Sequence, residues 1–300
     1  MHARDATGAP PPGAPSPGPA PARLASVVTR LRAAGCVFAE DEAALLLAAA
    51  LAAGRHGTTA ADGTVRTAPS PATADEVLEG LVARRVTGEP LETVLGWVGF
   101  AGLRLAVGAG VFVPRRRTEL LARTAVRLAR GARPSPVVVE ACCGVAPVAT
   151  LVAHEVPGAD VHAADLDPAA TGWAARNLAG RGRVWTGDLL DPLPGTLRGR
   201  VDVLVANAPY VPHAAIATMP PEAREHEPHV ALDGGPDGVA VQRRLLAAAP
   251  AWVRAGGHVL VETSVRQAPL TRAACPPGWT VDVLRDDDVD GTVVVARRPG

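Results

Sequence analysis

A chain of 300 residues with 48% apolar content has material for one large domain and a smaller one. Its 30 basic and 30 acidic residues cancel, which argues against a general nucleic-acid-coating surface and leaves only a local basic patch open. No apolar run reaches the length of a membrane span, and no apolar stretch follows the N-terminal charges, so neither a transmembrane helix nor a signal peptide is expected. The four cysteines, Cys36, Cys142, Cys143 and Cys275, have neither Cys-x-x-Cys nor zinc spacing. They read as free thiols of a cytoplasmic protein with no metal site.

Residues 1–22 are mostly Pro, Ala and Gly and cannot bury enough side chain to offset ordering entropy, so a disordered tail is expected. From Arg23 onward Leu24, Val27, Val28 and Leu31 recur at helical spacing, and Glu40 to Ala53 is an Ala/Leu-rich helix. Gly54 to Pro71 reads as a loop. Thr73 precedes Glu76 by one capping-box interval, and the helix it opens ends near Gly88. Residues 23–88 thus form a small helical domain without polar clusters of catalytic type. Such a unit serves as structural support or as a platform for docking a substrate.

Glu89 to Pro114 contains two short apolar runs around glycines, from Trp97 to Val107, and predicts a β-hairpin linker over 89–113. Here motifs accumulate. Arg84-Arg85-x-x-Gly88-Glu89-Pro90-Leu91 is followed by Gly96, by Phe100-x-Gly102-Leu103, and by Phe112-Val113-Pro114-Arg115-x-x-Thr118-Glu119-Leu120-Leu121. Together they resemble the protein-(glutamine-N5) methyltransferases that modify peptide chain release factors. The resemblance implies a class I methyltransferase domain over 114–300, S-adenosylmethionine as cofactor, and the Gly-Gly-Gln loop of a release factor as substrate. One departure stands out. The family's Pro-Arg-Pro-Glu-Thr-Glu is here Pro114-Arg115-Arg116-Arg117-Thr118-Glu119, so an acid has become a base in a segment that the family places near cofactor and substrate.

Val137-Val138-Val139 is a short buried strand ahead of Glu140-Ala141-Cys142-Cys143-Gly144-Val145-Ala146. The resemblance places Asp-x-Gly-x-Gly-x-Gly there, so that backbone approaches the methionine part of the cofactor. Glu140 then stands at the acid, and Cys142, Gly144 and Ala146 at the glycines; an alanine at a close-approach site narrows the pocket, while small side chains leave binding possible. Val161 to Asp165 is the next strand, and Asp165 is placed as a strand-end carboxylate that meets ribose hydroxyls. Asp167 caps the following helix. Val184 to Asp188 is a third strand, whose Asp188 the resemblance sets against the adenine amine. Alternating strands and helices predict a doubly wound, Rossmann-like sheet. An antiparallel pair, Trp279 to Val283 and Thr292 to Ala296, brings it to seven strands.

Val201 to Val205 reads as a buried parallel strand running into Asn207-Ala208-Pro209-Tyr210, where Pro209 and Pro212 forbid continuation. In open α/β sheets ligands bind beyond the carboxyl ends of strands. A planar NH2 group offers two donors in one plane, which the Asn207 side-chain oxygen and the Ala208 carbonyl could accept while the Tyr210 ring stacks on the group. An Asx-capped turn fits the same four residues taken alone. The tetrapeptide resembles the Asn-Pro-Pro-Tyr motif of amino-methylating enzymes, with Ala208 at the first proline. Pro221 to Gly238 is again family-like, and by itself reads as an ordered loop over the crevice.

The leading expectation is a monomeric methyltransferase acting on the side-chain amide of a protein glutamine. Asn207, Ala208 (through its carbonyl), Pro209 and Tyr210 form its catalytic grip. Glu140, Cys142, Gly144, Ala146, Asp165, Asp188 and Asn207 face the cofactor. Two alternatives stay open. One is adenine-N6 methylation of a flipped base, with Arg115-Arg116-Arg117 on phosphate. The other is a non-catalytic binding protein whose altered loop no longer holds cofactor.

Overall fold

A computed structural model describes residues 19–53 and 73–300. The expected loop from Gly54 to Pro71 and most of the expected tail lie outside the described residues. The chain divides into two units, 1–88 and 89–300.

The first unit packs α1 (Pro19–Ala33), α2 (Ala39–Ala53) and α3 (Ala74–Val86). α1 begins four residues ahead of the expected start at Arg23, because a proline is tolerated in the first helical turn. Val27, Leu31, Ala43, Leu46, Leu78 and Val82 are all buried where the three helices pack together. The expected capping box is present: Glu76 N–H donates to Thr73 Oγ1 at 3.2 Å, and Thr73 N–H donates to Glu76 Oε2 at 2.7 Å. Arg85 reaches Glu42 through a forked pair of hydrogen bonds, 2.7 and 3.2 Å, in a buried setting. That geometry joins α3 to α2, and removing one partner would strand a buried charge.

The second unit opens with a short helix, α4 (Leu91–Leu95), inside the stretch expected to be hairpin linker alone. Pro90 precedes it and Gly96, at φ 78°, stops it. The hairpin follows as β1 (Trp97–Phe100) and β2 (Leu103–Ala106), joined by Ala101 and Gly102, both at positive φ. Next come α5 (Thr118–Ala132), β3 (Val137–Ala141), α6 (Pro147–Glu155), β4 (Asp160–Asp165), α7 (Pro168–Leu178), β5 (Arg183–Thr186) and β6 (Val201–Ala206). After a 3-10 turn, α8 (Pro221–His226), α9 (His229–Leu232), α10 (Ala240–Trp252), β7 (Val253–Glu262), α11 (Ala268–Ala273), β8 (Thr280–Asp286) and β9 (Gly291–Arg297) complete the chain.

The sheet order is β5-β4-β3-β6-β7-β9-β8, with the first five strands parallel and β9 antiparallel to both neighbours. The expected seven-stranded doubly wound sheet is present. Side chains alternate between two cores, as a two-sided parallel sheet requires. Val138, Val203 and Val205 face α5, α6 and α7, while Val137, Val139, Leu204 and Ala206 face Leu245, Leu246 and Trp252 of α10. Full burial of each large apolar side chain contributes about 1.5–3 kcal/mol. At the amino end of β6 the buried Asp202 accepts from Arg133 Nε at 2.8 Å, from Val137 N–H at 2.7 Å and from Arg254, pinning β3 to β6. The chain runs outward from β3 through β4 to β5 and then returns to β6 on β3's other side. That reversal opens a crevice at the carboxyl ends of β3, β4 and β6.

Candidate active site

The crevice is a cavity of about 590 Å3, within the usual range for small-molecule sites. Its wall holds Glu140, Cys142, Gly144, Asp165, Asp188 and all four residues Asn207 to Tyr210. Of the residues expected at the cofactor, Ala146 is not on the wall. It is fully buried and donates its N–H to Cys143 O at 2.7 Å, which folds it beneath the loop.

The loop after β3 explains how the glycine positions work. Cys142, Gly144 and Ala146 have φ of 51°, 53° and 59°. All three occupy the left-handed region that glycine enters freely and that costs an L-residue about 1–2 kcal/mol. The backbone path is therefore that of a glycine-rich loop although two of three glycines are gone. Asp165 fastens it: Oδ2 accepts from Gly144 N–H at 2.7 Å and Oδ1 from Asp167 N–H at 3.0 Å. Burial raises the Asp165 pKa, against the lowering effect of those amides. Asn177 on α7 donates to Val145 O at 2.9 Å and to Ala106 O at 3.0 Å, tying loop and hairpin to one helix.

Glu140 lines the cavity but is committed to the fold. Its two oxygens accept from Val148 and Ala149 N–H at 3.3 and 2.6 Å, at the N-terminus of α6. Burial still lifts its pKa to about 8. Asp188 is ion-paired with Arg244 of α10, a cavity residue that nothing in the sequence marked.

On the opposite side, Asn207 Nδ2 donates to Thr118 Oγ1 over a long 3.4 Å, which leaves the amide oxygen to accept. Ala208 is fully buried, and among the described residues no donor occupies its carbonyl. Tyr210 is placed through its backbone. Gln267 Nε2 donates to Tyr210 O at 2.7 Å. A Cβ on Gly234 would lie 2.7 Å from Tyr210 Cα, and one on Gly238 2.4 Å from Tyr210 O. Only glycine allows this approach. Burial lifts the Tyr210 phenol to about 12, so the ring is neutral.

Two acids from distant elements stand at and behind this side: Glu227 lines the cavity, and Glu262 is buried behind Tyr210. Glu227 accepts from Arg115 Nη2 at 2.6 Å and Val113 N–H at 3.3 Å, and burial raises its pKa. Glu262 ends β7 and receives the Tyr210 hydroxyl at 3.4 Å. A strand-end acid after Val259-Leu260-Val261 was the available signal for it. Among the described residues no group of His, Cys, Asp and Glu could hold a metal, and no helix is long and apolar enough to cross a membrane.

No family model matches the chain. A release factor glutamine methyltransferase of Mycolicibacterium smegmatis is 37% identical over 273 residues, covering 89% of this chain and 93% of its own. A 4-amino-L-phenylalanine/4-methylamino-L-phenylalanine methyltransferase of Streptomyces pristinaespiralis is 38% identical over 186 residues, 60% of this chain and 63% of its own. The match spans 65% and 66% of the length of two further release factor glutamine methyltransferases. A methyltransferase structure from Pyrococcus furiosus shares the fold with a TM-score of 0.50 and 17% identity, covering 73% of this chain and 98% of that one.

Proposed function

The chain belongs to the release factor glutamine methyltransferases, and from that premise we propose that it transfers a methyl group from S-adenosylmethionine to the side-chain amide nitrogen of a release-factor glutamine, in a Gly-Gly-Gln loop. One observation carries the reading. Two unengaged acceptors, Asn207 Oδ1 and the Ala208 carbonyl, share a cavity with the carboxylates of Asp165 and Asp188.

The residues present fit the cofactor. Asp165 retains lone pairs for ribose hydroxyls beyond its two amide bonds, and Asp188 offers an acceptor to an amine. The left-handed loop brings bare backbone to the wall. S-adenosylmethionine supplies an electrophilic methyl on a sulfonium.

An amide nitrogen is a poor nucleophile because its lone pair is delocalised. Asn207 and Ala208 accept both N–H bonds in one plane, and Tyr210 stacks on that plane, so the nitrogen faces a single direction. Orientation of this kind is worth up to about 7–11 kcal/mol in a bimolecular step. The proton leaves after the methyl has attached, when the nitrogen is cationic and strongly acidic, so no general base is required. A translation substrate suits a cytoplasmic location, and the helical unit serves to dock the folded release factor.

Labelled methyl transfer tests this with four acceptors: intact release factor, a Gly-Gly-Gln peptide, DNA and 4-amino-L-phenylalanine. Intact protein should be the best acceptor. Label on DNA adenine or on the free amino acid, with none on protein, would overturn the reading. No cofactor binding at millimolar concentration would leave only the non-catalytic alternative.

A further inference from the structure

Behind the Tyr210 ring lies a group of polar side chains that the grip on the acceptor does not use. Glu262 is fully buried. Its Oε1 lies 3.4 Å from Arg117 Nε and 3.4 Å from the Tyr210 hydroxyl that donates to it. Thr118, the first residue of α5, is buried next to Arg117 and accepts from Asn207 Nδ2. Oε2 is buried with no hydrogen-bond partner among the described residues. Arg117 Cζ stands 5.8 Å over the Tyr210 ring, and its side chain, 40% exposed, reaches the cavity.

A buried carboxylate with an unsatisfied oxygen depends on its neighbours for its charge. Arg117, at the start of α5, and Tyr210, in the loop after β6, are the titratable groups that face Glu262. The motif that this segment resembles carries glutamate where Arg117 stands. A second acid there would repel Glu262, whereas Arg117 compensates it.

We propose that Arg117 is a positioning residue: through Glu262 it fixes the Tyr210 ring against the acceptor amide. The inference rests on the methyltransferase reading of the crevice. Burial raises the Glu262 pKa and Arg117 works against that rise, so Arg117 favours the anion, the stronger acceptor for the Tyr210 hydroxyl. Without it, protonation of Glu262 is favoured, the acceptor loses its charge, and the bond that holds the Tyr210 hydroxyl weakens. The loss falls on kcat and not on cofactor affinity, because Arg117 makes no contact with Asp165 or Asp188 among the described residues.

Tyr210 is the only tyrosine in the chain. Protein labelled with 3-fluorotyrosine therefore gives one 19F resonance that reports this ring with or without turnover. In the wild type the line should hold its position between about pH 6 and pH 9. Arg117→Gln should displace it, make it titrate in that window, and lower kcat about tenfold at the acid end with recovery as pH rises. Arg117→Lys should restore line and rate, and adding Glu262→Gln to Arg117→Gln should abolish the titration. An Arg117→Gln protein whose line and pH–rate profile match the wild type overturns the proposal. Should that variant fail to fold, Glu262→Gln alone decides: a displaced line and reduced kcat support it, and an unmoved line overturns it. If the wild type methylates no acceptor, the functional reading falls alone and the fluorine titration still judges the role of Arg117.

Discussion

Gly144 donates its backbone N–H to Asp165 Oδ2 at 2.7 Å. The acid expected to meet ribose is thus also the clamp on the loop that would meet the methionine part of the cofactor. Asp165→Ala removes an acceptor and releases the loop together. Cofactor affinity should fall by about 1–3 kcal/mol for the lost acceptor, and calorimetric titration measures it. An unchanged affinity would mean that Asp165 neither meets the ribose nor shapes the loop for the cofactor.

The two departures from glycine should behave differently. Ala146 is buried away from the cavity at φ 59°. Ala146→Gly should therefore stabilise the fold, by up to about 1 kcal/mol after glycine's own entropy cost, and leave cofactor binding unchanged. Cys142 lines the cavity at φ 51°. Cys142→Gly should add a change in cofactor affinity to the same gain in melting temperature.

Asn207→Ala should abolish methyl transfer while cofactor affinity stays near that of the wild type, since it removes an acceptor for the substrate amide. Ala208→Pro should keep activity, because the Ala208 N–H makes no hydrogen bond among the described residues. Single-turnover rates and cofactor titrations on both proteins check the pair. An Asn207→Ala enzyme with most of its turnover would identify the turn as structural.

Glu140 supplies a pH signature. Burial sets its pKa at about 8 against an ordinary 4.5. A group raised on folding stabilises fully below its unfolded pKa and loses that contribution as pH climbs through the folded value. Wild-type stability should therefore decline from about pH 4.5 towards about 8, and Glu140→Gln should flatten that part of the curve. Denaturant midpoints across the range measure the difference. Equal slopes would show that the carboxyl is ionised throughout.

The parts of the site readable from sequence were those carried by short segments. Asn207 to Tyr210 follow a strand that prolines end, and Asp165 closes another strand, so the sheet rule alone placed both at the crevice. Arg244 and Glu262 were hidden because their partners, Asp188 and Tyr210, come from other elements. Periodicity tells which face of α10 is buried but not which strand end lies beside it. Glu140 lines the cavity as expected, yet its oxygens serve the end of α6. Motif alignment could not separate a wall residue from a support such as Ala146, because that depends on where the chain turns. The short helix from Leu91 to Leu95 was signalled by Pro90 and Gly96, which the hairpin pattern overshadowed.

The last prediction concerns the helical unit, where docking of the substrate is proposed. Val37 and Phe38 lie between α1 and α2 and are 83% and 68% exposed. Phenylalanine is scarce here, three in the whole chain, and an adjacent apolar pair held in water contributes nothing to the core beneath it. Large apolar side chains at a projecting turn are suited to anchoring in a pocket of a partner. Replacing both by serine should leave the melting temperature unchanged, since little surface is uncovered. Methylation of a short Gly-Gly-Gln peptide should also be unaffected, because the reacting groups all belong to the second unit. Towards intact release factor, kcat/KM should drop about tenfold, equivalent to about 1.4 kcal/mol of lost contact energy. An equal loss on peptide and protein would point to general damage, and no loss on either would remove this turn from the docking surface.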